Sequence, residues 1–125
     1  MTTETLLTPT QAEQEDAKRL QRHVDSIAQD LTNPPMDEWN EDRDVENEGE
    51  FTAFDYLQDA LDIEYIVNSK KEYLGARVLV AFGGPNIWIN TRSGVVEGYW
   101  WGDRATATFT DNLGLDEALQ ELYNC

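Results

Sequence analysis

The chain has 125 residues, 40% of them hydrophobic, and a formal net charge of −16. That length holds one domain, or a small domain with an arm, and four Trp, five Tyr and four Phe exclude global disorder. The sign of the charge points away from nucleic acid and anionic lipid as ligands, and towards something basic.

Met1 to Leu7 reads as a loose start. Thr8-Pro9 then opens a helix: a hydroxyl N-cap, proline at the first helical position, and Glu13, Glu15 and Asp16 towards the positive end of the dipole. Ala17, Leu20, Val24, Ile27 and Leu31 recur at spacings of three and four, one narrow apolar stripe, until Asn33-Pro34-Pro35 stops the helix. The stripe is expected to pack on its own domain, although it also resembles a short coiled-coil seam through which residues 9–31 would form a homodimer. Residues 36 to 50 have only Met36, Trp39 and Val45 as apolar members, which gives a linker or a short exposed helix.

Gly49 marks a turn into a second expected helix, with Phe51, Phe54, Leu57 and Leu61 facing one way. At about 100° per residue, Asp55, Asp59 and Asp62 fall on the opposite stripe. The period changes near Ile63. Strands are expected over 63–67, 73–82, 86–90 and 95–101, with a further one over 105–110, and the tight spacing between them requires antiparallel hairpins. Leu115, Ala118, Leu119 and Leu122 then give a C-terminal amphipathic helix. The sum is an α+β fold: a small antiparallel sheet of three to five strands covered by helices on one face. The expected organisation is a helical arm over 1–34, an acidic linker over 35–50 and a core over 51–125. Eleven of the thirteen aromatic residues lie at or after residue 54, which places the expected core in the C-terminal part.

Little in the chain supports catalysis. The lone His23 has no nucleophile motif to serve, so no enzyme and no cofactor is expected. Residues 44 to 55 carry the outline of a calcium loop, with acids at positions one, three, five and twelve and glycine at six. Glutamates at positions three and five, and the short Asp55 at twelve, depart from it, and no metal ligands are assigned. Gly83-Gly84-Pro85-Asn86 lacks the Lys-Ser/Thr of a phosphate loop and reads as a turn. Gly98 to Asp103 reads as a core strand with an outward aromatic, and an exposed Trp there would suit a protein contact.

What dominates is acid. Between Pro35 and Val67 stand Asp37, Glu38, Glu41, Asp42, Asp44, Glu46, Glu48, Glu50, Asp55, Asp59, Asp62 and Glu64 against a single basic residue, Arg43, a net −11. Residues 68 to 104 are net +2, so the charge is polarised along the chain. Duplex DNA carries one charge per ~1.7 Å of axis, and acids at helical spacing approach that density.

In size, acidity and α+β makeup the chain resembles, at class level, the small acidic anti-defence proteins of phages and mobile elements, including anti-CRISPR and anti-restriction DNA mimics. No family motif carries the likeness, so no residue role transfers from it. The resemblance implies a non-enzymatic inhibitor whose twelve acids bind the basic nucleic-acid-binding groove of a host defence nuclease or surveillance complex. It implies no direct contact with nucleic acid or membrane. The alternative is a calcium-responsive or dimeric protein-interaction module. No basic-plus-apolar leader opens the sequence, no apolar run approaches the ~20 residues of a membrane span, and the lone Cys125 fits a reducing compartment, so the expected location is the cytoplasm.

Overall fold

The computed structural model describes residues 8–125; the loose start expected over 1–7 lies outside them. Helix α1 spans Pro9–Thr32. Thr8 and Gln11 form its capping box: the Thr8 hydroxyl accepts from the Gln11 N–H at 3.1 Å, and the Gln11 side chain accepts from the Thr8 N–H at 2.9 Å. Three short helical turns follow, α2 (Met36–Trp39), α3 (Val45–Glu48) and α4 (Ala53–Leu57). Five strands come next, β1 (Asp62–Val67), β2 (Tyr73–Ala81), β3 (Asn86–Asn90), β4 (Val95–Trp100) and β5 (Asp103–Thr108), and α5 (Leu115–Tyr123) closes the described chain.

The strands pair antiparallel in sequence order, β1-β2-β3-β4-β5, a meander in which every link is local. Alternation sorts their side chains. Ala76 and Val78, Ile87 and Ile89, Val96 and Ala105 are buried on one face, the face that α1 and α5 cover. Arg77, Trp88, Glu97 and Tyr99 are half-buried on the other. Helix α1 lies across β4 and β5 and buries Leu20, Val24, Ala28 and Leu31 there, each larger side chain contributing about 1.5–3 kcal/mol. Gly98 makes this approach possible. A Cβ at that position would sit 2.8 Å from Val24 Cγ1 and 2.9 Å from Leu20 Cδ1. Helix α5 packs on β2 through Leu115, Ala118 and Leu119, its free N–H groups capped by the Asp111 carboxylate, which accepts from Gly114, Leu115 and Asp116 at 2.8–2.9 Å.

Two expectations need correction, and the alternative of a helical seam falls away while the expected packing of α1 on its own domain holds. Residues 9–32 are not an arm beside a 51–125 core, because α1 supplies four of that core's buried side chains. Its apolar stripe faces β4 and β5, so Leu20, Val24 and Leu31 present no seam to a second copy. The core is also aliphatic: among the described residues no aromatic is buried, and the rings gather instead in clusters at its margin.

Candidate protein-interaction surface

Residues 33–61 cross from the end of α1 to the start of β1 as a strap, and a few contacts fix its shape. The Trp39 ring lies 4.8 Å from Phe51 and 5.8 Å from Tyr56, centroid to centroid, an aromatic clasp that joins the two ends of the strap. Beside it the Asn40 side chain accepts from the Phe51 N–H at 2.7 Å. Arg43 is turned inward. Its Nε donates to the Gly49 carbonyl at 2.8 Å and its Nη2 lies 3.2 Å from Asp55 Oδ2, with the two side chains only 21% and 20% exposed. Asp55 also completes a capping box with Thr52 at the start of α4. The clasp rests against His23, Ile27 and Asp30 of α1 and Val80 of β2, around a cavity of about 450 Å³.

With the only cation of the strap used internally, the outside is left to acids. Asp37, Glu38, Glu41, Asp42, Asp44, Glu46, Glu48 and Glu50 are all exposed within fourteen consecutive residues. The other four expected site residues separate from them. Asp55 is consumed by the cap and by Arg43. Asp59 is exposed in the turn after α4 and borders the clasp cavity. Asp62 and Glu64 lie on β1, paired with Leu79 and Arg77 on the uncovered sheet face, and Glu64 is bound to Arg77 at 2.9 Å. The expected helix carrying Asp55, Asp59 and Asp62 on one stripe does not form. Helix α4 ends at Leu57, because the Leu61 N–H donates to the Leu79 carbonyl and draws the chain into the sheet.

Titration behaviour follows the same geometry. Hydrogen bonds from Thr52, and the charge of Arg43, hold the Asp55 carboxyl below its usual range. Burial, reinforced by the negative charge of Glu38, pushes Asp30 up. Burial likewise pushes Tyr56 up to about 12, with Asp30 adding to it.

The calcium-loop outline of 44–55 is not realised as an ion cage. Asp44 caps α3 by accepting from Asn47, Asp55 caps α4, and among the described residues no three metal-ligating side chains converge. Among those residues, too, no helix is long and apolar enough to cross a membrane. Sequence reasoning missed the clasp and the inward Arg43. Trp39 was visible as an aromatic in the acidic stretch and Phe51 as the first member of the second expected helix's apolar face, but nothing in their spacing says that they meet.

No family model, curated protein or solved structure matches this chain. The surface therefore has to be read from its own chemistry.

Proposed function

We propose that this protein is a non-enzymatic inhibitor that sets its acidic strap into the basic nucleic-acid-binding groove of a partner, a host defence nuclease or surveillance complex. One observation carries the reading. Eight carboxylates point outward from a short segment whose single cation, Arg43, is turned in to hold its shape. A solvated linker has no need of an aromatic clasp. A surface that must meet cations in register does, because ordering the segment beforehand removes that entropic cost from binding.

The charge density is of the right order. Fourteen residues extend to at most ~50 Å, so eight charges are on average no more than ~6 Å apart, against ~3.4 Å along one DNA strand. Folding into helical turns at 1.5 Å per residue closes much of that gap. Carboxylates can also take arginine partners in bidentate pairs, as phosphates do.

The test begins with capture from lysate at low salt, followed by challenge of the captured protein with duplex DNA. DNA should displace it, and the Glu41→Lys, Asp42→Lys, Glu46→Lys triple variant should bind at least tenfold more weakly. A matched reversal on other surfaces, Asp62→Lys, Glu117→Lys, Glu121→Lys, should bind within about threefold of the original. If partner, DNA and this protein form a ternary complex, or both triple variants lose affinity alike, the strap is not a nucleic-acid decoy.

A further inference from the structure

Strands β4 and β5 are joined by two residues, Trp101 and Gly102, both with positive φ, +48° and +87°. This is the hairpin turn that Asn-Gly fills most comfortably, and a bulky residue at its first position is strained. The strain is accompanied by exposure, since Trp101 stands 85% open to solvent. Its ring meets that of Trp100 edge to face, centroids 5.7 Å apart and planes at 80°. Trp100 pairs with Asp103 across the hairpin, on the face where α1 lies. Glu13 and Asp16, in the first turns of α1, close the remaining side of a cavity of about 530 Å³.

Two indoles and three carboxylates line this space, and no basic side chain does. Glu13 and Asp103 have no ion pair or side-chain hydrogen bond among the described residues; Asp16 meets only the exposed Arg19, at 3.6 Å. Arg104, the next residue after Asp103, belongs to the opposite face, over Tyr99 and beside Glu97.

We propose that this pocket receives an arginine side chain of a protein partner. Indole faces attract a cation, and a guanidinium plane stacks on a ring while presenting a fork of N–H donors to a carboxylate. Two acids without an ion pair among the described residues, Glu13 and Asp103, supply the charge complement, with Asp16 beside them held by Arg19. An open shelf around an exposed ring suits a side chain delivered by another chain better than a free small molecule, which needs most of its surface enclosed. The pocket goes beyond the strap reading. It lies about 10 Å along α1 from the clasp cavity, counting 1.5 Å per residue from Asp16 to His23, and no strap residue contributes to it.

The probe is the peptide acetyl-Gly-Arg-Gly-amide, titrated into the full chain at 0.15 M salt and followed through the indole N–H resonances of Trp100 and Trp101. The neutral citrulline analogue and the lysine analogue serve as comparisons. Arginine should give saturable shifts at those two indoles, with citrulline at least tenfold weaker and lysine several-fold weaker. Trp101→Asn keeps the net charge and suits the turn, so its melting temperature should hold while the affinity falls at least tenfold; Trp101→Gly is the second variant should the first fold poorly. Strap reversal at Glu41, Asp42 and Glu46 should leave peptide affinity within about threefold, which separates failure here from failure of the strap. Citrulline or lysine binding as tightly as arginine, retained affinity in the Trp101 variants, or shifts centred on Trp39 would each overturn the assignment.

Discussion

Asp55, within the strap, and Asp30, on α1 beside the clasp, titrate in opposite senses, which makes them separable. Asp55 is held below its ordinary value of 3.8 by Thr52 and then Arg43, so its contribution to stability is present above about pH 3.8 and lost as pH falls through the folded value. Asp30 is raised by burial and by Glu38, so its contribution is present below about pH 3.8 and lost as pH rises through the folded value. Asp55→Asn should therefore lower the melting temperature at pH 7, and Asp30→Asn should raise it. Both differences should shrink when melting is repeated near pH 3. A fall for Asp30→Asn at pH 7 would show that the carboxylate holds a stabilising contact instead. The sequence displays both residues but neither sign, because the sign depends on Thr52 bonding Asp55 in the cap of α4 and on the burial of Asp30.

The elements themselves were largely legible. Thr8-Pro9 and Asn33-Pro34-Pro35 mark the ends of α1, and the strands lie close to where alternation puts them. Two boundaries were not. The apolar residues from Phe51 to Leu61 satisfy a helical period, yet Leu61 belongs beside Leu79, a partner eighteen residues away that no local pattern reveals. Trp101 satisfies a strand pattern, yet it sits in the turn, because Gly102 and the Trp100–Asp103 pair set the hairpin register. Of the candidate site, the eight strap acids were plain from composition. Their separation from Asp62 was not, since a change from helix to strand moved it to another face, whereas Glu64 already fell on an expected strand. Gly98 shows the same dependence on distant partners. Gly98→Ala would press a methyl group onto Val24 and Leu20, and overpacking of that kind costs about 1–3 kcal/mol, measurable by urea unfolding. Restoring space with Val24→Ala in the same chain should recover part of the loss; strictly additive losses would mean that α1 does not rest on that glycine.

Across the whole molecule, like charge opposes compaction. With a net −16 and Debye screening lengths of about 30 Å at 0.01 M and 10 Å at 0.1 M salt, added sodium chloride should raise the melting temperature over that range. The Arg43–Asp55 pair, mostly shielded from solvent, should resist the screening. A melting temperature that stays flat or falls with salt would mean that attractive pairs outweigh the repulsion. The meander topology was expected in outline, but the long-range tie between α1 and the end of the sheet was not. Gln21 of α1 donates to the Thr106 carbonyl on β5 across 85 residues, and Thr32 accepts from the Thr110 N–H across 78. That tie has a consequence for biosynthesis. At ~5–20 residues per second, a ribosome that has just released Gln21 needs roughly 4–17 s more to deliver Thr106. For that interval the greasy flank of the first helix has no native cover, and the nascent chain depends on its own acidity to stay in solution.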